Sequence, residues 1–141
     1  MARLALLVCL FTITSVAMSG LAGGNTEQDA SKPEYLDKAW GAVKGVNEGS
    51  NNGQFHYIPI KVLSAKSQVV AGSKYTFEVL FGESNCSRGT VGAHQLTKES
   101  CQLKEGGARA IYKVVLWEKP WENFQQYNVE RVRVVEPSEQ F

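Results

Sequence analysis

Apolar positions in this chain fall into three successive patterns: an unbroken run near the start, a helical stretch, and several alternating stretches. The run from Leu4 to Leu10, extended through Phe11 to Val16, follows one positive charge at Arg3 and gives way to small residues. It is shorter than the ~20 residues a bilayer requires, so it predicts a secretory leader and not a membrane span. Ala17-Met18-Ser19 favours cleavage after Ser19, and Gly20-Leu21-Ala22 offers a competing site. The expected division is a leader at 1–19 and a single domain at 20–141.

Gly20 to Ala30 is small and polar with no period, which predicts a mobile segment. Leu36, Ala39, Trp40, Val43 and Val46 then recur at helical spacing, behind a capping-box pattern at Ser31-Lys32-Pro33-Glu34. Gly41 and Gly45 weaken this helix and let it lie close to a sheet, and Gly49 to Gly53 stops it. From Gln54 to Ser67 the residues turn β-branched and aromatic, with Ile58, Ile60 and Val62 on one parity, Phe55 and Tyr57 on the other, and a register change near Pro59. Ser73 to Ser84 alternates, placing Tyr75, Phe77, Val79 and Phe81 on one side. Residues 85–107 read as a polar excursion, and 108–118 and 124–135 as a second strand pair turning at Lys119 to Asn123. Trp40 and Trp117 sit in periodic apolar runs and are expected in the core. One helix followed by four hairpin-linked strands predicts an α+β fold, an antiparallel sheet with the helix across one face.

Charge and cysteine content narrow the function. Without Arg3 the 15 basic residues fall to 14, equal to the 14 acidic ones, so no basic field exists for nucleic acid. Cys9 leaves with the leader, and Cys86 and Cys101 remain as an even pair in an oxidising compartment, which predicts one disulfide. His56 and His94, the two histidines, are placed on a strand and in a loop, and neither a zinc cluster nor a Cys/His catalytic pair is convincing. No catalytic residue, metal or cofactor is assigned. Asn85-Cys86-Ser87 matches a glycosylation acceptor formally, but its middle residue is the expected disulfide partner.

The turns are unusual. Gln68-Val69-Val70-Ala71-Gly72 puts apolar side chains where turns are normally polar, and Pro120-Trp121 does so again, which suggests surfaces meant for a partner's cleft. Together with Gly23-Gly24 ahead of the helical segment, these motifs resemble the secreted cystatins, inhibitors of papain-like cysteine proteases. The likeness covers nearly all of the chain beyond the leader. It implies a sheet of four to five strands wrapped around one α-helix, with a short extra strand from the N-terminal segment.

The resemblance also implies a wedge: Leu21 and Ala22 with Gly23 as a swivel, the first loop at Gln68, Val69, Val70, Ala71 and Gly72, and the second at Pro120 and Trp121. Such a wedge would fill the groove of a cathepsin L, S or B type protease reversibly, by fit and without reaction. In some secreted cystatins Ser-Asn-Asp after the helix acts on legumain; here Ser50-Asn51-Asn52 replaces Asp by Asn52, and a polar helix stop is the favoured reading. Family members usually have a second disulfide on the last hairpin, yet no cysteine follows Cys101, so packing alone must hold it. Branched residues at the first turn suggest backbone strain, with a domain-swapped dimer as the hazard for an otherwise monomeric protein. The rival to inhibition is a secreted binding or immunomodulatory module on the same fold.

Overall fold

The computed structural model describes residues 24–48 and 53–141. Five strands form one antiparallel sheet in sequence order: β1 (Thr26–Gln28), β2 (Phe55–Val70), β3 (Gly72–Ser87), β4 (Arg109–Lys119) and β5 (Phe124–Val135). The helix lies across one face in two segments, α1 (Pro33–Trp40) and α2 (Val43–Glu48). Tyr35, Ala39, Val43 and Val46 from the helix meet Phe77, Val79, Phe81, Tyr112 and Val114 from the sheet in the main core. Tyr35 was not read from the sequence as a core position. The opposite sheet face carries a smaller cluster of Leu80, Ile111 and Val135.

The break in the helix has a local cause. Gly41 N–H and Ala42 N–H each reach back only three residues, to the carbonyls of Lys38 and Ala39, which tightens the turn into 3₁₀ geometry. The Tyr127 hydroxyl donates to the same Lys38 carbonyl at 2.9 Å. Its ring lies so close that a side chain on Gly41 would begin 2.1 Å from that oxygen. Burial, with the negative charge of Glu118 adding to it, pushes the Tyr127 hydroxyl up to about 12, so it stays a donor. Gly41 and Gly45 therefore admit the sheet as expected, Gly45 against Val129.

Four expectations are corrected. No capping box forms, because Asp29 accepts from both the amide and the hydroxyl of Ser31 and the helix begins behind Lys32 without a side-chain cap. Thr26–Gln28 is a paired strand, the short extra strand that the resemblance implies, which corrects the mobile segment read from lack of periodicity alone. β3 runs on to Ser87, so Cys86 lies within a strand rather than opening a loop. The register change expected near Pro59 is present at Pro59/Lys61, but further irregularities at Phe55/Tyr57 and Val62/Ser64 also reset the facing of β2, so Ile60 does not share a face with Val62: it packs with the outer cluster and Val62 with the main core.

Cys86 and Cys101 are joined, with Cα atoms 5.6 Å apart. Cross-linking a loop of this length contributes about 3 kcal/mol in the chain-entropy model. Lacking a second disulfide, the last hairpin is held by the Tyr127 bond and by a folded-back C-terminus. Arg133 pairs with Glu139 through two 2.8 Å bonds, while Arg109 donates to the carbonyls of Glu136, Pro137 and Glu139. The Arg133 hydrogen bonds hold the Glu139 carboxyl down at about 2. A depressed carboxylate stabilises the fold above its unfolded-state value and loses that contribution as pH falls through the folded one. The clip should thus persist through mildly acidic pH, and a carboxyl NMR titration of Glu139 is expected to show its midpoint near 2.

Candidate functional site

The first hairpin is as tight as a strand connection can be: Val70 pairs with Gly72, leaving Ala71 at the tip. Gly72 takes the positive φ, 92°, a conformation glycine adopts without penalty. Val69 and Val70 remain in the strand ladder, so the strain expected of branched residues here is not found in positive φ. Val69 is 69% exposed.

Pro120–Glu122 makes the second turn as one 3₁₀ segment, ended by Asn123 in the left-handed region at φ 51°. The asparagine amide closes it on the Pro120 carbonyl at 3.2 Å. Trp121 projects from this turn, 67% exposed. A tryptophan folded back on the sheet would not be.

Sheet order places both turns at one end. Ser73 pairs with Glu118, and the Gly72 backbone packs so tightly that a Cβ there would lie 2.0 Å from the Glu118 carbonyl oxygen. The Trp117 indole N–H donates to the Ala71 carbonyl at 2.9 Å. This side-chain hydrogen bond reaches the tip of the first turn, whereas Gln68, at the turn's base, faces Lys74 across the strands. β1 approaches the same end: Thr26 pairs with Ser67 in antiparallel sense, so the chain before it leads toward Gln68. Asn25 and Gln68 line one shallow groove there. Leu21, Ala22 and Gly23 lie outside the described residues, as do Ser50, Asn51 and Asn52.

Charges beside the turns are internally balanced. Lys38 of α1 meets Glu118 at 2.7 Å with both side chains largely buried, and Lys119 lies 3.8 Å from Glu122. Lys119 also covers the rings of Trp117 and Phe124, at 4.6 and 4.9 Å from their centroids. Trp117 is thereby corrected from core residue to a partly exposed member of the outer sheet face. The signal was present: Val115 and Trp117 share the parity opposite to Val114 and Leu116, which are fully buried. Trp40 does pack at the core margin, against both the main cluster and the disulfide.

The arrangement offers a surface and not a reaction. Both cysteines of the described domain are oxidised. His56 is buried, and its Nε2 bonds the Val91 carbonyl, which can only accept; His94 is exposed in a 3₁₀ turn. Among the described residues no cluster of metal-ligating side chains occurs, and no helix is long and apolar enough to cross a membrane.

A family model for the cystatin domain matches residues 23–133. The chain belongs to the cystatin family. It is 48% identical to Cystatin cpi-1 of Caenorhabditis elegans over 97% of its own length and 98% of that protein. Onchocystatin of Onchocerca volvulus is 38% identical, over 77% of this chain and 65% of that one. Among solved structures, the salivary cystatin of the soft tick Ornithodoros moubata superposes with a TM-score of 0.66 at 25% identity, covering 79% of this chain and 98% of that one. Dimeric human cystatin F shares the fold, with a TM-score of 0.65 at 18% identity over 84% and 94% of the two chains. The sheet wrapped around a helix, inferred from sequence resemblance, is thus the cystatin fold, and membership places the protein among protease inhibitors and not enzymes.

Proposed function

We propose that this cystatin is a secreted, reversible and noncovalent inhibitor of papain-like cysteine proteases that acts through its two hairpin turns and the N-terminal segment. One observation carries the reading: Val69 and Trp121, the most exposed large apolar side chains described, stand on neighbouring turns at one end of the sheet. Exposed apolar groups grouped on rigid turns match a concave apolar partner. Val69, Val70 and Ala71, together with Pro120 and Trp121, would enter the active-site groove and cover its thiolate and imidazole without offering a scissile bond in register. Val70 and Gly72 shape the first turn, and Gln68 stands at its base in the strand ladder. Leu21 and Ala22 would take the acyl-side pockets, with Gly23 allowing the chain to turn away. A protease–inhibitor interface buries about 1,600 Å² in total, so substrate is excluded by occupancy. Ala22 is small, and each missing methylene costs about 0.8 kcal/mol, so a protease with a large apolar pocket should be held less strongly.

Progress curves of papain and of cathepsins L and B with the secreted protein test the reading. Slow-onset or tight inhibition relieved by dilution is expected. Absence of inhibition at micromolar concentration would leave the binding-module reading in its place. N-terminal sequencing of the same material is expected to begin at Gly20, which retains Leu21 and Ala22; a start at Gly23 would remove that part of the wedge.

For Ser50, Asn51 and Asn52 the polar helix stop is the reading carried forward, since Asn52 stands where the family's legumain motif has Asp. The secreted protein and its Asn51→Ala variant are expected to act alike on legumain. Legumain inhibition abolished by Asn51→Ala would instead assign this segment a second target.

A further inference from the structure

Trp117 belongs to neither motif that the family resemblance supplies, yet three parts of the inhibitory end converge on it. Its N–H donates to the Ala71 carbonyl at the tip of the first turn. Its ring meets that of Phe124, the first residue after the second turn, edge to face at 5.3 Å. Lys119, the last residue before the second turn, lies over its face at 4.6 Å and is itself paired with Glu122 inside that turn. The side chain is partly exposed on the outer sheet face and belongs to none of the three hydrophobic clusters. A strand position needs no tryptophan for packing here; a long planar side chain with one donor at its far edge suits a span between two turns.

We propose that Trp117 is a positioning residue for inhibition: it fixes the first turn relative to the second, so that Val69 to Ala71 and Trp121 meet the protease as one preformed edge. The inference rests on the wedge reading above and adds to it the residue that sets the wedge's internal geometry. Preorganisation matters because a turn ordered only on binding gives up part of the contact energy in becoming ordered. The indole also satisfies a carbonyl at the tip without using the exposed side chains.

Trp117→Phe tests this, since it keeps an aromatic ring beside Phe124 and beneath Lys119 and removes the donor. The loss of one hydrogen bond should raise the papain inhibition constant about five- to tenfold. The thermal midpoint should stay near that of the parent. The same substitution placed in a Val69→Ala/Val70→Ala background should change inhibition less than about twofold, because the contacts it aligns are already gone. Equal losses in both backgrounds would mean that Trp117 touches the protease itself or supports the fold generally, and would overturn the proposal; so would unchanged inhibition by W117F. Hydrogen exchange on the free protein supplies a readout independent of any protease: amides of Ala71, Gly72 and Ser73 should exchange faster in W117F, and unchanged exchange there would overturn the positioning role. If the parent fails to inhibit, the wedge reading falls while the exchange result still decides whether the indole orders the turn.

Discussion

Replacing Trp121 with alanine is expected to weaken papain inhibition about a hundredfold, close to 3 kcal/mol, the range of an aromatic anchor at an interface centre. The side chain is two-thirds exposed in the free protein, and the hydrogen bond that closes its turn joins the backbones of Asn123 and Pro120 without using it. Folding should therefore be almost indifferent to the change, with chemical denaturation of Trp121→Ala matching the parent within error. The combination is diagnostic. A residue that served packing would lose stability and inhibition together, whereas a residue held out for a partner loses only the second. Equal inhibition by parent and variant would remove the second turn from the wedge.

Gly72→Ala is expected to act in the opposite manner, on fold and inhibition at once. At φ 92° an alanine is strained, and its Cβ would lie 2.0 Å from the Glu118 carbonyl oxygen, a backbone atom with no rotamer to escape into. β3 and β4 would have to separate beside the turn. Strain and lost strand pairing together should lower stability by about 4 kcal/mol. Because the same separation moves the first turn away from the second, inhibition should fall more than a hundredfold even where the variant remains folded. Denaturation and progress curves on the same preparation measure both. Gly24→Ala is the stability control, since nothing lies within 4 Å of a Cβ at that position. A Gly72→Ala protein as stable and as inhibitory as the parent would mean that the tight strand junction is not what shapes this end of the molecule.

Much of the fold was legible because local pattern and tertiary role agree. Phe77, Val79 and Phe81 alternate in sequence and all point into the main core; Phe124 to Val135 forms the last strand with the limits its pattern suggests. Cys86 and Cys101, the two cysteines beyond the N-terminal apolar run, pair with each other as their even number suggested. What escaped is tertiary in origin. The helix joint at Gly41 depends on a tyrosine hydroxyl 89 residues beyond the Lys38 carbonyl that it binds, and no local signal announces it. Three register shifts in β2 reset its facing, so parity counted across them misassigns Ile60. Asp29 outcompetes the helix for the Ser31 side chain, which defeats a capping motif that looks sound in isolation.

The candidate site shows the same division. Its exposed apolar residues could be found because hydrophobic side chains in turns are out of place. Its internal scaffold could not, because Trp117 reads as one more apolar residue in a strand until Ala71 and Lys119 are seen beside it. Lys38 and Glu118, 80 residues apart, likewise join the helix to the strand that leads into the second turn. Turn chemistry marks where a partner binds, and long-range contacts determine whether the binding edge is rigid.

Hydrogen exchange of the inhibitor alone and in complex with papain tests the two-turn edge most directly. The account predicts new protection at Val69 to Gly72 and at Trp121 to Asn123 together, with the outer-face residues of β3 and β5 unchanged. Protection confined to one of the two turns, or appearing on the β5 edge while both turns exchange as in the free protein, would contradict it.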